Sequence, residues 1–343
     1  MNEETLARAI EARAEWFDPQ HETAVRLFAG FYEGNPQLVI DLYARTLVIH
    51  NYADPPEAGQ TDVEQAQDFL LQRLGWVRAV VLKTRHASDP AQRRGRLIHG
   101  TKADTRIREG GVRYAINLLL NRDASFYLDT RTVRTWARQY LRGKTVLNAF
   151  AYTGSLGAAA MAGGAARVIH LDANRTFLNL AKETYTLNGF PIHKADFIAD
   201  DFWAFTSRLR RAGQTFDCVF LDPPFFAAAS TGTVDLLNHS ERLINKVRPL
   251  VTDGGRLVVI NNALFLSGRD YLGTLNELCA DGYMTIEELI SVPSDVTGYP
   301  HTTVGAPPVD PAPFNHPTKI VVLRVQRRSS SPLLLSLPAH QSR

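Results

Sequence analysis

Residues 145–155 read Thr-Val-Leu-Asn-Ala-Phe-Ala-Tyr-Thr-Gly-Ser, and this stretch decides the fold of the chain. Its apolar run passes through a turn into a helical pattern of small residues at 156–162. Two further apolar runs, at 167–171 and 216–221, are also separated by helical patterns. Short apolar runs that alternate with helices are typical of buried strands in a parallel sheet. The sequence therefore predicts an α/β fold.

Polar or turn-forming residues follow each of these runs. Gly154 lies in the turn after the first run, and Asp172 ends the second. The third run ends on Asp222-Pro-Pro-Phe-Phe226. Ligands of open parallel sheets bind beyond the carboxyl ends of the strands. The three positions therefore predict a ligand site at one edge of the sheet.

The glycine turn indicates which ligand the site takes. A dinucleotide turn has the pattern Gly-x-Gly-x-x-Gly, with an acid about 20 residues later for a ribose hydroxyl. Here the pattern is Tyr152-x-Gly154-x-x-Gly157, so a bulky side chain replaces the glycine that approaches a diphosphate. Asp172 lies at the expected distance for a ribose. S-adenosylmethionine, with a ribose but no phosphate, fits this pattern, although the turn alone is equally an ordinary strand-to-helix connection.

Six motifs occur along the chain: Asn148-x-Phe-x-Tyr-Thr-Gly154, Leu171-Asp172, Asp200-Asp201-Phe202, Asp222-Pro-Pro-x-Phe226, Glu109-Gly-Gly-Val-Arg-Tyr114 and Phe126-Tyr-Leu-Asp-x-Arg131. Their order and spacing resemble those of the class I S-adenosylmethionine-dependent methyltransferases. They are most similar to the branch that modifies bases of large-subunit ribosomal RNA, including the 5-methylcytosine and 7-methylguanine enzymes. The resemblance covers roughly residues 25 to 326 and implies a Rossmann-like seven-stranded methyltransferase sheet with a small N-terminal α+β domain.

The resemblance also implies roles for individual residues. Gly154 would pack the turn against the methionine part of the cofactor, Asp172 would bind the ribose, and Asp201 or its neighbour would meet the adenine amino group. Asp201 is equally placed to cap the following helix, and aromatic residues before a helix commonly pack in a core. Phe126 would belong to a lid that also includes Tyr127 and Asp129. The implied cofactor-binding residues are Asn148, Phe150, Tyr152, Gly154, Asp172, Asp201 and Phe126. The implied catalytic residues are Asp222, Pro223, Pro224 and Phe225.

Length and composition bound the organisation of the chain. With 343 residues we expect a small α+β domain at 1–100, a catalytic domain at 101–328 and a disordered tail at 329–343. The N-terminal helix is expected to reach about residue 22, and 85–102 is expected to be an exposed loop. A further helix is expected from Val234 to Val247. No apolar run is long enough to span a membrane and no signal peptide is visible, so we expect a cytoplasmic protein without a membrane partner.

Charge is unevenly distributed along the chain. Residues 83–144 contain 15 Lys and Arg against 5 Asp and Glu, a local charge of +10. Because the net charge of the whole chain is +3, the remaining residues together carry a charge of −7. A basic segment beside a catalytic domain is the footprint expected for RNA, although long Arg side chains also solvate helix faces. The N-terminal RNA-binding module of the related enzymes is expected to be absent, which leaves open how the RNA would dock. A homodimer is also possible.

The residues that follow the third apolar run, at 222–226, indicate the reaction. Methyl transfer from a sulfonium is an in-line displacement that depends on positioning. Two prolines restrict the backbone, and an aromatic residue beside them stacks on an extruded base. The related 5-methylcytosine enzymes need a thiol, but Asn261-Asn262-Ala263 occupies its place. Since Cys218 and Cys279 fit core positions, direct methylation of a base nitrogen is the expected reaction.

Three other functions stay open at this stage. Pro-Pro-aromatic turns also present amides, which would suit a protein or small-molecule N-methyltransferase. A dehydrogenase is disfavoured by Tyr152, and a non-catalytic RNA-binding protein could retain the same fold. The two cysteines lack metal-ligand spacing, so no metal is expected. The segment from Pro293 to Pro317 is long enough for a functional loop, with no role assigned to it.

Overall fold

A computed structural model describes residues 2–229 and 231–326. The expected disordered tail at 329–343 lies outside these residues. Within them, a five-stranded sheet forms first, in the order β1-β2-β3-β4-β5. Only β3 and β4 pair in parallel. Its elements are α1 (Glu3–Glu11), β1 (Ala24–Ala29), β2 (Leu38–Tyr43), β3 (Thr46–Asn51), α2 (Gln60–Arg73), β4 (Ala79–Thr84), α3 (Pro90–Arg94) and β5 (Arg96–His99).

The N-terminal helix is shorter than predicted. It begins at Glu3, where the Asn2 side chain accepts a hydrogen bond from the backbone of Glu4, and it ends at Glu11. The prediction that it reaches residue 22 was wrong because Asp18 organises a turn there. The Asp18 carboxylate accepts backbone hydrogen bonds from residues 20, 22 and 23. A carboxylate that binds nearby amides competes with helix formation.

The expected loop at 85–102 is ordered secondary structure instead. The Asp89 side chain caps α3, and Pro90 occupies the first helical position, where its missing N–H costs nothing. Strand β5 then pairs antiparallel with β4, with His99 opposite Val80. Because β5 is an edge strand with half-exposed side chains, its sequence has the polar composition of a loop, which explains the wrong prediction.

The second part of the described chain contains a seven-stranded sheet in the order β10-β9-β8-β11-β14-β16-β15. The first five strands are parallel, and β16 and β15 close the sheet antiparallel. The predicted Rossmann-like sheet is therefore confirmed. The elements are β6 (Arg106–Glu109), β7 (Val112–Ala115), α4 (Arg131–Tyr140), β8 (Thr145–Ala149), α5 (Ser155–Ala162), β9 (Arg167–Asp172), α6 (Arg175–Asn188), β10 (Phe197–Ala199), α7 (Phe202–Arg211), β11 (Phe216–Leu221), β12 (Phe226–Ala229), β13 (Gly232–Asp235), α8 (Ser240–Val247), β14 (Val251–Asn261), α9 (Gly268–Cys279), β15 (Met284–Ile290), α10 (Ser294–Thr297) and β16 (Lys319–Val325).

Strand order reverses between β8 and β11. The chain moves outward from β8 to β10 on one side and from β11 to β14 on the other. A crevice opens at such a switch point, beyond the carboxyl ends of the strands, and it is the usual ligand site of open α/β sheets. The residues that follow β8, β9 and β11 therefore converge on one place.

The segment after β11 differs from the sequence prediction. A helix was expected from Val234, but Phe226–Ala229 and Gly232–Asp235 form a hairpin, and α8 begins only at Ser240. Asp235 accounts for the delay, since its carboxylate accepts backbone hydrogen bonds from Leu237 and Asn238. Such a local bond favours a turn over a helix.

A buried polar cluster joins the late segment at 293–317 to the N-terminal sheet. Asp295 is fully buried and its carboxylate accepts hydrogen bonds from the Arg131 guanidinium and, at 3.1 Å, from the backbone of Arg26. The Asp295 carbonyl accepts two hydrogen bonds from Arg13, whose guanidinium also pairs with buried Glu33. We call these five residues the clasp. The segment with no predicted role thus has a structural one.

None of the helices among the described residues is both long and apolar enough to cross a membrane.

Candidate active site

A cavity of about 460 Å³ lies at the switch point of the seven-stranded sheet. Seven of the eleven predicted site residues line it: Phe150, Tyr152, Asp172, Asp201, Asp222, Pro223 and Pro224. The other lining residues are Asn121, Asp123, Tyr127, Asp129, Thr130, Leu171, Ala173, Phe177, Asp200, Phe202, Trp203, Ala227, Ala228, Gly232, Val234, Ile260, Asn262 and Thr318. The predicted convergence of the strand ends is present.

The turn after β8 is fastened to Asp172. Its backbone adopts positive φ at Phe150 (56°), Tyr152 (50°) and Gly154 (78°). Non-glycine residues in that conformation are strained, and such strain is concentrated at functional sites. The Asp172 carboxylate accepts a hydrogen bond from the backbone of Tyr152 through one oxygen and from Asn174 through the other, both at 2.8 Å. Each oxygen keeps a lone pair for a ligand hydroxyl.

Two predicted cofactor residues lie behind this turn. A Cβ on Gly154 would stand 2.6 Å from the Cβ of Ala181, so only glycine fits there. Asn148 is buried, with its amide 3.3 Å from His170, whose other ring nitrogen lies 2.9 Å from the Tyr185 hydroxyl. Burial lowers the pKa of His170 to about 3, so the ring is neutral. Neither Asn148 nor Gly154 lines the cavity; both support the turn from behind.

Phe126 and Phe225 also lie outside the cavity wall. Phe126 is buried, its ring centroid 4.9 Å from that of Tyr114, with the Arg134 guanidinium 4.1 Å above it. Its neighbour Tyr127 lines the cavity instead. Phe225 is 44% exposed, and its carbonyl accepts a hydrogen bond from the backbone of Leu236. An exposed ring after the two prolines remains available to a substrate that arrives from solvent.

Aromatic rings form much of the cavity wall. Phe150 stacks on Phe202 with ring centroids 4.5 Å apart, and Tyr152 meets Phe177 edge-on at 4.6 Å. Asp201 caps α7, since its side chain accepts from the backbone of Ala204 at 2.8 Å, and it also lines the cavity. The two roles that the sequence left open are therefore compatible. An apolar slot beside an acid suits a purine ring.

Residues that sequence reasoning missed close the remaining sides. Trp203 packs against Gly232 of the unexpected hairpin, where a Cβ would lie 2.6 Å from the indole nitrogen. Asn121 accepts a hydrogen bond from the Tyr152 hydroxyl at 3.1 Å, and Asp123 accepts one from Tyr127 at 2.9 Å. Trp203 directly follows the Asp-Asp-Phe motif and was recognisable from that. Asn121 and Asp123 carry no local signal.

Asp222 is the most perturbed acid of the site. Burial raises its pKa to about 8, and the nearby charge of Asp129 acts in the same direction, against the opposing effect of Arg134. Asp129 is itself held by a 2.8 Å hydrogen bond from the Thr318 hydroxyl. Perturbed acids in a cleft are candidates for proton transfer. Asp222 thus binds or releases a proton close to neutral pH.

No thiol lies among the cavity-lining residues. Asn262 lines the cavity where the related enzymes would have one, and Asn261 is buried with its amide bonded to the Leu236 carbonyl at 3.0 Å. Cys218 is fully buried in β11, and burial raises the pKa of its thiol. Cys279 is half-buried at the end of α9. Covalent attack by sulfur has no suitable residue here.

Over residues 2–229 and 231–326, no three His, Cys, Asp or Glu side chains are grouped so as to hold a metal ion.

Comparisons with known proteins agree with this geometry. A family model described as S-adenosylmethionine-dependent methyltransferase matches residues 30–297. Ribosomal RNA large subunit methyltransferase I of Aeromonas salmonicida (strain A449) is 30% identical over 86% of this chain and 76% of its own length. Ribosomal RNA large subunit methyltransferase K/L of Colwellia psychrerythraea (strain 34H / ATCC BAA-681) is 31% identical over 78% of this chain but only 38% of its own length. The solved structure of SMU.776 complexed with SAH has a TM-score of 0.82 at 20% identity, covering 94% of this chain and 80% of that chain, which shows a shared fold.

Proposed function

This chain belongs to the S-adenosylmethionine-dependent methyltransferase family, and from that premise we propose that it methylates a base nitrogen of ribosomal RNA by direct transfer. S-adenosylmethionine is its cofactor. The observation that carries the proposal is that Asp172 and Asp222, two acids that differ in the hydrogen bonds they accept, line one cavity. One is a fixed acceptor and the other exchanges a proton near neutral pH.

Cofactor binding is assigned to the half of the cavity around Asp172. Its two oxygens would accept the ribose hydroxyls while they remain bonded to the backbone at 152 and 174. The aromatic wall that includes Phe150, Phe202 and Phe177 would contact the adenine, and Asp201, which lines the same cavity, would accept from the amino group. The cofactor supplies an electrophilic methyl group on sulfur. The protein's contribution is to hold the acceptor atom in line with it.

Proton transfer is assigned to Asp222. For a target nitrogen that carries a hydrogen, such as an amino group of a base, a proton must leave as the new nitrogen–carbon bond forms and the sulfur–carbon bond breaks. An ionised Asp222 carboxylate would accept that proton, and a pKa of about 8 makes it a base of suitable strength. Asp129 and Asn262, which also line the cavity, offer further acceptors to an amino group. Pro223 and Pro224 fix the backbone between the acid and exposed Phe225.

RNA is favoured over other substrates by two observations. The similar methyltransferases of Aeromonas and Colwellia act on large-subunit ribosomal RNA by name. The basic segment at 83–144 supplies a surface for it, since 12 of its 15 Lys and Arg remain at least partly accessible. The other three, Lys83, Arg131 and Arg134, are buried. A base would have to leave its stack to enter the cavity, and the cytoplasm is where such an RNA is met.

The first experiment is isothermal titration of wild type and Asp172→Ala with S-adenosylmethionine, S-adenosylhomocysteine and NAD. We expect micromolar binding of the adenosyl ligands by wild type and a loss of at least tenfold in the variant, because the ribose hydroxyls lose their acceptor. Binding of NAD alone would contradict the proposal.

A second measurement tests the substrate. Wild-type protein is incubated with methyl-labelled cofactor and deproteinised large-subunit ribosomal RNA, and the label is traced to an N-methylated base after nuclease digestion. Label in the protein fraction would instead favour a protein N-methyltransferase. No transfer to either, despite cofactor binding, would favour a non-catalytic RNA-binding protein.

A further inference from the structure

A second cavity, of about 280 Å³, lies outside the active site and is lined by five arginines. It forms where the β6–β7 hairpin meets the segment at 20–22 and the ends of strands of the five-stranded sheet. We call it the arginine cleft. Its lining residues are Gln20, His21, Glu22, Ala44, Arg45, Arg78, Asp104, Arg106, Ile107, Arg108 and Arg113.

Positive charge in the arginine cleft is not neutralised by the protein. Two acids face the five arginines, and Asp104 already accepts hydrogen bonds from the Arg45 backbone at 2.9 Å and the Thr46 hydroxyl at 2.7 Å. Glu22 lies 3.8 Å from Arg108, a loose pair in which both side chains are about half exposed. Among the described residues, the other four arginines of the cleft form no ion pair. The cleft is therefore an anion site by charge.

The hairpin aligns three of these arginines on one face. Arg108 and Arg113 stand directly opposite each other in the β6–β7 ladder, and Arg106 lies two residues from Arg108 on the same strand face. Like charges directly opposite across a ladder destabilise a sheet. The other face buries Ile107 and Tyr114 and so fixes which way the arginines project. An arrangement that is unfavourable for folding is favourable for binding a bridging anion.

The frame around the arginines is rigid. The Arg108 backbone donates to the Glu22 carbonyl at 2.7 Å, and the Arg78 backbone donates to the Arg45 carbonyl at 2.8 Å. His21 has a positive φ of 54°, and its ring stacks on Trp76 at 3.9 Å. Strain of this kind accompanies binding sites more often than plain surface loops. The backbone that carries Arg108 and Arg78 is therefore held in place, which lowers the entropic cost of binding.

We propose that the arginine cleft binds backbone phosphates of the RNA whose base enters the active site. Guanidinium groups bind phosphate oxygens in a bidentate fork, and phosphate contacts fix the register of a nucleic acid without reading its sequence. The cleft would thereby hold the RNA in register with the cavity, and three of its arginines, Arg106, Arg108 and Arg113, belong to the basic segment for which the sequence predicted RNA contact. This inference rests on the proposed function, because it takes the substrate to be RNA.

The test removes the hairpin charges without touching the active site. The variant is Arg106→Gln/Arg108→Gln/Arg113→Gln, in which all three side chains are exposed. The matched control is the triple substitution of exposed arginines elsewhere, Arg210→Gln/Arg211→Gln/Arg242→Gln. The probe is a fluorescein-labelled, 20-nucleotide single-stranded RNA of mixed sequence, followed by anisotropy at several salt concentrations. Melting temperature and S-adenosylhomocysteine affinity establish that both triple variants are folded.

We expect the hairpin variant to bind the RNA at least tenfold more weakly than the control, with unchanged affinity for S-adenosylhomocysteine. The slope of log affinity against log salt should decrease by about 2, since each phosphate contact contributes about 0.7 for a single strand. The corresponding Arg→Lys triple variant, which keeps the charge but loses the fork, should retain most of the slope and recover only part of the affinity.

Equal RNA affinity of the hairpin variant and the control would overturn the inference. It would also be overturned if inorganic phosphate bound wild type but not the variant while RNA affinity stayed unchanged, because the cleft would then hold a free anion. The proposed function fails in a different measurement. It is contradicted if wild-type protein transfers no methyl group to ribosomal RNA, whatever the arginine cleft binds.

Discussion

Two aspartates of one cavity, each with a pKa raised by burial, differ in the hydrogen bonds that they accept. Asp172 accepts two backbone hydrogen bonds, whereas Asp222 has no hydrogen-bond donor among the described residues and lies near a second acid. The sequence predicted both positions because each follows an apolar strand. It did not predict their different proton affinities, since Asp129 lies 93 positions before Asp222 in the chain. Such pairing is a property of the fold and not of any local pattern.

The rate of methyl transfer should depend on pH through Asp222. An ionised carboxylate is needed to accept the proton, so the wild-type rate should rise with pH and level off above about 8. Asp222→Asn keeps an acceptor but cannot ionise; we expect a rate about 100-fold lower that no longer varies with pH. Single-turnover transfer to ribosomal RNA between about pH 6 and 9 measures this. Asp200→Asn, at another acid of the cavity, should keep the wild-type profile.

Stability should depend on the same group with a definite sign. The pKa of Asp222 is raised from 3.8 to about 8 in the folded protein, so the folded state holds a proton that the unfolded chain releases. Unfolding is then increasingly favoured as the pH rises from about 4 to 8. Asp222→Asn removes this term. Its stability advantage over wild type should grow by on the order of 1 kcal/mol per pH unit in that window, measured by urea unfolding. A constant difference would contradict the raised pKa.

At the scale of elements, the turn between β8 and α5 was the easiest to predict and the hairpin after β11 the hardest. A glycine after a buried strand and before a small-residue helix defines the turn locally. The hairpin at 226–235 has Phe and Ala on one strand and Thr and Val on the other, a composition equally suited to a loop or a helix start. Trp203, which packs against Gly232 of this hairpin, lies 29 positions earlier in the chain. Long-range packing therefore decided what local propensity left open.

Gly154→Ala should destabilise the protein and weaken cofactor binding. The position has φ of 78°, and the new Cβ would stand 2.6 Å from the Cβ of Ala181, so conformational strain and crowding add. We expect a loss of about 2–4 kcal/mol in the free energy of unfolding. Gly189→Ala is the matched control: φ is 67° there, but a Cβ meets nothing within 4 Å. It should cost only about 1 kcal/mol and leave S-adenosylhomocysteine affinity intact; equal effects would exclude crowding.

For the whole molecule, the seven-stranded sheet and its parallel order were predictable, but the relation of the two sheets was not. Tyr43 of β2 donates to the carbonyl of Phe126 at 2.9 Å, and core residues of both sheets belong to one apolar cluster. The clasp adds contacts between positions more than 250 residues apart. No periodicity in a sequence reports a contact of that range. The division at residue 100 remains a prediction.

Asp295→Asn should destabilise the protein strongly. The substitution removes the nearer of the two acidic partners of buried Arg131 and leaves Glu109 at 3.4 Å, and the loss of a buried hydrogen bond between charged groups costs about 1.5–3 kcal/mol. The control is Glu11→Gln, which breaks the exposed pair between Glu11 and Arg73 and should cost less than about 0.5 kcal/mol. Chemical unfolding followed by tryptophan fluorescence measures both. A small effect of Asp295→Asn would mean that the clasp contributes little.

The clasp also limits how freely this chain can be recombined. Arg13 precedes the seven-stranded sheet in the sequence, and Asp295 follows six of its seven strands, so most of that sheet lies between two segments that complete one buried cluster. A chimera that exchanged the N-terminal sheet alone would separate Arg13 and Arg26 from Asp295, and Glu33 from the Thr302 hydroxyl. In such a gene fusion, the N-terminal sheet keeps these contacts only if the segment from Pro293 to Pro317 is transferred together with it.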